Sequence, residues 1–346
     1  MIYANTTFCR AYLLAQSENL LVFTSSCLTQ LLQPPSATFV RIREREHLMR
    51  EISFSEWGMQ NKLKAQLNSN FNWNTAVFMV IFHLGTLVAL FMWSWKWVVI
   101  SLLINWVGGS LGIGIGFHRL LTHRGFQTPK PVEYFLTFCG LIALQGGAIN
   151  WVVTHRIHHA FTERDGDPHS PRDGRWWAHM GWILSGTSQQ HSDIVMRRYA
   201  PDMMKDPVHI WMNRLYFMPL VVLGIGLFAV AGWQGLFWGV FLRVTLGLHA
   251  TWLVNSATHL WGKRRFETTD DSTNSWWVAL LTFGEGWHNN HHAFPRAAKH
   301  GLKWYEVDIN WYGITVLKFL GLARHINLVS REQIAQSHEY RLRKAA

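Results

Sequence analysis

Trp97-Val-Val-Ile-Ser-Leu-Leu-Ile-Asn-Trp106-Val-Gly-Gly-Ser-Leu-Gly-Ile-Gly-Ile-Gly-Phe117-His118-Arg-Leu-Leu-Thr-His123 decides the reading of this chain. From Trp97 to Phe117 it is apolar and uncharged, long enough to cross a hydrocarbon core of about 30 Å. It then delivers two histidines. A second apolar run, Thr75 to about Trp93, precedes it across Ser94-Trp-Lys96, so the pair forms a helical hairpin. Gly108, Gly109, Gly112, Gly114 and Gly116 resemble a nucleotide-binding loop, but inside an apolar span they serve close helix packing.

The pattern recurs downstream. Leu215–Ala231 and Leu236 to about Asn255 flank a turn at Gly232-Trp-Gln-Gly235 and make a second hairpin. Tyr134–Ile149 is apolar but short and broken by Gly140, Gln145, Gly146 and Gly147; it reads as a re-entrant or interfacial segment. Residues 160–213 are polar and turn-rich, as in a soluble cap, and Trp276–Phe283 reads as a buried helix. No Lys or Arg occurs from Ala65 to Trp95, Trp97 to His118 or Leu215 to Leu242. Apart from Lys96 and Arg243, the basic residues beyond Ala65 therefore share one side with both termini, which the positive-inside rule makes cytoplasmic. The expected fold is an all-α integral membrane protein, with four transmembrane helices in two hairpins and a cytoplasmic helical cap. Its expected parts are a leader over 1–59, a membrane domain over 60–329 and a basic tail over 330–346.

Four spans put every histidine cluster in one compartment: His118 with His123, His155-Arg-Ile-His158-His159, His259, and His288-Asn-Asn-His291-His292. Residues three or four apart share a helix face, so each His-x-x-His-His triple should converge on one point. His118 and His123 are five apart, about 140° around an α-helix, which suits a helix end or a site between two metals. Nine imidazoles exceed what one ion can use, and imidazole suits zinc, copper, iron and nickel. The expectation is a polynuclear metal site.

Of the 346 residues, 49% are hydrophobic and only 15% charged, against about 25% in soluble domains, so lipid is one solvent. The net charge of +11 fits anionic headgroups or an acidic protein partner; no nucleic-acid module accompanies it. Cys9, Cys27 and Cys139 are too few and too scattered for a disulfide framework or an iron–sulfur cluster, so electrons must come from another molecule. Residues 1–59, acid-poor and hydroxyl-rich, are either a transit-like leader, an unstructured extension, or the product of a start placed ahead of Met49 or Met59.

With Asp167-Pro-His169, Asn255-Ser-Ala-Thr-His259 and Gly284-Glu-Gly-Trp-His288 added, these motifs resemble the membrane fatty-acid desaturases, most closely the stearoyl-type Δ9 branch and its cyanobacterial and bacterial members. The resemblance runs from Asn72 to Val329. It implies a di-iron centre that uses O₂ to place a cis double bond, at Δ9, in a saturated acyl chain on a lipid or CoA. Carried across by motif, the ligands are His118, His123, His155, His158, His159, His259, His288, His291 and His292, with Asn255 acting through a water. Gln145, Trp151, Thr251 and Trp252 match positions lining a bent acyl tunnel. Acyl-CoA members carry charged residues where this chain has Val152-Val153-Thr154, which favours glycerolipid substrates. No haem-binding His-Pro-Gly-Gly occurs, which implies a separate electron donor, ferredoxin or alternatively cytochrome b5. A thylakoid or plastid membrane is compatible. The same histidine arrangement also serves hydroxylases and ketolases, and a histidine-rich metal transporter is the reading from a different class. Glu285 reads as a support to the ligands, Asp167 as either a ligand-orienting group or a turn cap, and His83 and His249 as neutral, hydrogen-bonded residues within the spans.

Overall fold

The computed structural model describes residues 71–185 and 190–337. The expected leader and the last nine residues of the expected tail lie outside them. Among the described residues the protein is helical, with isolated β-bridges and no strand.

α1 (Trp73–Phe91) is capped by Asn72, whose side chain accepts from the Thr75 amide. After a short turn, α2 (Trp95–Asn105) runs directly into a π-helix over Trp106–Thr122. α3 (Lys130–Ile142) and α4 (Ala148–Phe161) follow, then the short cap helices α5 (Arg175–His179), α6 (Asp193–Tyr199) and α7 (Pro207–Arg214). α8 (Met218–Leu236) continues through a π-helical turn into α9 (Arg243–Ser256). α10 (Trp276–Leu281), α11 (His288–Ala293) and α12 (Ile309–Phe319) complete the order.

Among the described residues, three helical runs are long and apolar enough to cross a membrane: Trp73–Phe91, Trp95–Thr122 and Met218–His259. A straight helix of 42 residues would measure about 63 Å, twice a hydrocarbon core. The third run is not straight. Gly232 sits at φ 61° and ψ −149°, which breaks the helix, and the arms on either side pack together through Leu227 on Gly239 and Val240 on Gly224. Val80, Leu84, Leu87 and Phe91 of α1 and Val222, Ile225 and Val230 of α8 point outward uncovered.

The glycines of the π-helix are packing positions. An added Cβ at Gly112 would lie 2.2 Å from the backbone nitrogen of Gly140 in α3, and one at Gly114 would lie 2.1 Å from Asn310 Nδ2 in α12. The π-helix is thus clasped between two helices that need a bare backbone on it. α10 departs from expectation: Val278 and Ala279 are buried, but Trp276, Leu280 and Leu281 are exposed. Its six residues make under two turns, so only one face can reach the core.

His83 and His249 form a hydrogen-bonded interhelical link. His83 Nδ1 donates to the Met79 carbonyl, so its Nε2 must accept from His249 Nε2 at 3.0 Å. His249 Nδ1 then accepts from His179 Nε2, also at 3.0 Å, tying α1, α9 and α5. Gly112→Ala should cost at least about 1–3 kcal/mol through overpacking, whereas Gly226→Ala, with nothing within 4 Å, should be neutral or stabilising. Thermal midpoints of the two purified variants in detergent test this contrast.

Candidate metal centre

The nine histidines form two adjoining sets. His118, His123, His155, His159 and His291 bring one ring nitrogen each to within 4.8 Å of one another, and His158, His259, His288 and His292 do the same. The triples therefore do not converge on single points. Each α-helical residue advances about 100°, so His155 and His159 lie 40° apart while His158 is rotated away from His159 by a full step. α4 accordingly gives His155 and His159 to the first set and His158 to the second. α11 divides the same way, with His288 and His292 in one set and His291 in the other.

His118 and His123 also differ from expectation: they belong to one set, with ring centroids 4.8 Å apart. The 140° separation presumed an α-helix. Here the His123 amide donates to the His118 carbonyl at 3.1 Å, an i→i+5 bond, and residues five apart become neighbours along the axis. His259 ends a 3-10 turn directly after α9, and Asn255 lies one helical turn before it.

Carboxylates hold these rings from behind. Nδ1 of His118 donates to Glu285 at 2.6 Å, His158 to Asp167 at 2.9 Å, His259 to Glu163 at 2.8 Å and His292 to Asp270 at 2.9 Å. A neutral imidazole with its proton on Nδ1 presents a lone pair at Nε2. Those lone pairs face inward: His259 Nε2 lies 3.0 Å from His288 Nε2, and His118 Nε2 lies 3.2 Å from His291 Nε2. The buried Nε2 atoms of His158 and His292 have no partner at all. Burial, reinforced by neighbouring imidazoles, pushes the basicity of His123, His155, His159, His288 and His291 well below the usual histidine range. Buried imidazoles whose ring nitrogens converge in two sets are a donor set for metal cations, and the residues present fit two ions.

Glu285 stands behind the ligand set rather than in it. Burial alone would raise its carboxyl, but Arg119 and then His118 hold it well below the usual range. Asp167 fills both of its expected roles: it orients His158 and accepts the amides of Glu163 and His169. Glu163 and Asp270 carry no signal in sequence, because they meet their histidines across 96 and 22 residues through loops. His300 is likewise unmarked in sequence; it is buried, with its ring 4.6 Å from that of His291 and its Nδ1 3.2 Å from Glu285.

An apolar cavity adjoins the histidines. Its lining includes His118, His155, His288 and Asn255 together with Gln145, Trp151 and Thr251. Trp151 Nε1 donates to Gln145 Oε1 at 3.1 Å, and Gln145 Nε2 donates to Thr251 Oγ1 at 2.7 Å. Trp252 does not line this cavity but a smaller neighbouring one, which shares Gln145, Trp151, Thr251 and Asn255. Arg243, the basic residue inside the fourth apolar run, also lines the first cavity and donates to the carbonyls of Gly239 and Ile142.

Residues 96–313 match the family model described as fatty acid desaturase. The chain is 48% identical over 264 residues to an sn-1 stearoyl-lipid 9-desaturase of Anabaena variabilis, covering 76% of this chain and 96% of that protein. It is 44% identical over 255 residues to an sn-2 palmitoyl-lipid 9-desaturase of a Nostoc species, covering 73% and 90%. A chloroplastic palmitoyl-monogalactosyldiacylglycerol delta-7 desaturase of Arabidopsis thaliana is 44% identical over 255 residues, covering 72% and 67%.

Arg119 is fully buried and bonds Glu285, Asp308 and the Ala298 carbonyl. Arg119→Met strands two buried carboxylates and should cost about 3–5 kcal/mol, read as a lowered thermal midpoint. Arg119→Lys, which keeps the charge but not the fork, should fall between.

Proposed function

Because the chain belongs to the fatty acid desaturase family, we propose that it is an acyl-lipid Δ9 desaturase with a di-iron centre on its nine histidines. The observation that carries this reading is the largely apolar cavity lined by residues of two adjoining sets of buried imidazoles. The overall change is –CH₂–CH₂– + O₂ + 2 e⁻ + 2 H⁺ → –CH=CH– + 2 H₂O. Two irons held by these sets would supply the oxidising power, drawing O₂ and electrons from outside the chain. The protein's own part is placement. A hydrocarbon has no polar handle, so a shaped apolar cavity would fix the reacting carbons by distance and exclude water from them. His118, His155 and His288 border that space directly. Gln145, Trp151 and Thr251 hold one another across it and would shape its bend, with Trp252 behind them. Asn255 borders the cavity one turn from His259, where its amide would hold a displaceable water on the four-histidine ion.

A glycerolipid carrier is favoured over CoA. The Anabaena, Nostoc and Arabidopsis relatives are named for lipid-linked acyl groups. Val152 and Val153, in the stretch where acyl-CoA members place charged residues, are fully buried and offer nothing to a nucleotide. The break at Gly232 and the antiparallel packing of its two arms support four crossings in two hairpins; the distribution of Lys and Arg then puts both termini and the metal centre on the cytoplasmic side. The chloroplastic relative makes a plastid or thylakoid membrane a coherent setting. A net charge of +11 suits an acidic donor, ferredoxin before cytochrome b5.

Expression in a host with saturated lipids, followed by double-bond mapping of each lipid class, should show Δ9 monoenes on glycerolipid. Hydroxylated chains, or unsaturation confined to acyl-CoA, would redirect the assignment. Asn255→Leu should keep most of its iron and lose most desaturation, whereas His259→Leu should lose iron as well; normal desaturation by Asn255→Leu would refute the water-holding role. Reporter fusions after Lys96 and Gln234 should read external, and those after His169 and His300 internal. An external signal at His169 would dismantle the shared metal site.

A further inference from the structure

The carboxylates behind the two histidine sets are unequally distributed. In the four-histidine set, three of the four rings donate Nδ1–H to a carboxylate: His158 to Asp167, His259 to Glu163 and His292 to Asp270. In the five-histidine set one ring does so, His118 to Glu285. The compensation differs as well. Glu285 Oε1 accepts from Arg119 Nε at 3.1 Å and from Asn310 Nδ2 at 2.6 Å, so its charge is largely engaged elsewhere. Asp167 is otherwise satisfied by backbone amides, and Asp270 by the Ser272 amide and the Thr268 hydroxyl. Glu163 alone has a cation, Arg172, whose side chain is 52% exposed and also bonds Asp271.

A carboxylate on Nδ1–H makes the opposite nitrogen a stronger donor and adds negative charge close to the ion, and such partners typically contribute about 10–100-fold in metal affinity. The fifth imidazole of the other set works in the opposite direction. It is neutral, however, and adds no charge, whereas the four-histidine set has three carboxylates within one hydrogen bond of its rings. Building on the di-iron reading, we propose that the two positions are inequivalent, and that Glu163, Asp167 and Asp270 make the four-histidine position the one that retains its ion more tightly. These three are positioning residues acting through His259, His158 and His292.

The experiment is stepwise iron removal from the intact, detergent-solubilised protein by graded chelator, with iron counted per chain and Mössbauer spectra of ⁵⁷Fe-loaded samples taken at each step. Wild type should release its two irons in two stages at least about tenfold apart in chelator concentration, with one spectral component lost before the other. Asp270→Asn and Glu163→Gln should shift the later stage toward the earlier one by about tenfold or more and alter the spectrum of the retained iron. Glu285→Gln should move only the earlier stage. General damage to the fold would move both stages together, so this crossed pattern separates positioning from mere structural support. Two irons leaving in a single stage, or Asp270→Asn moving only the earlier stage, would overturn the proposal. Fewer than two irons per wild-type chain would bring down the di-iron reading itself, and the proposed inequality with it.

Discussion

Imidazole nitrogens buried against one another are the constraint on which this protein depends. Ring nitrogens about 3 Å apart, His259 against His288 and His118 against His291, must share a proton or face a common cation, and burial opposes protonating His288 and His291. The fold therefore has to hold the rings in place by other means, and it does so from behind. Carboxylates fix tautomer and orientation on one ring after another, and each carboxylate is fixed in turn by backbone amides or by a buried guanidinium. Arg119 and Asp308 are the junction of that outer layer. Asp308 accepts from Arg119, from the His300 and Gly301 amides and from the first turn of α12, so the first histidine helix is tied to segments almost two hundred residues later. A site built from four stretches of chain is joined through this wiring.

The π-helix solves a second problem. A long apolar helix must satisfy its own backbone, and this one also has to deliver His118 and His123 to the same side. An α-helix would have placed them about 140° apart; i→i+5 bonding brings them together while keeping the backbone paired. Gly112 and Gly114 let α3 and α12 press against this wider helix, and Arg119 anchors its far end. Helix type, small residues and buried ion pair act on one element to one end.

Much of this is legible in sequence because it follows from period and composition. The apolar runs, the turn at Gly232 and the three histidine motifs each carry a local signal, and the motifs point to a shared centre. What sequence cannot give is the division of labour among neighbours. Whether His158 joins His155 or His259 depends on how α4 is rotated against α9 and α11, a tertiary fact. The π-helix is invisible because its glycines fit α-helical packing equally well. Glu163 and Asp270 escape notice for a similar reason: an acid in a loop looks solvated until the fold places an imidazole beside it. α10 defies the expectation of burial because apolar composition does not say which solvent its outer face meets, and Trp276 and Leu280 remain uncovered.

The cavity beside the histidines shows how polar side chains can line a largely apolar space. A carboxamide beside a hydrocarbon is costly if any of its groups lacks a partner, since the hydrocarbon can offer none. Gln145 avoids the cost by spending both ends internally: its oxygen accepts from Trp151 Nε1, and its nitrogen donates to Thr251 Oγ1. Thr251 passes its own proton to the Gly247 carbonyl one turn back. The chain of donors therefore runs one way, from indole to amide to hydroxyl to backbone. An all-apolar wall would lack this directional bonding between the turn after α3, α4 and α9. The polar trio thus links three elements through directional bonds at the margin of the cavity.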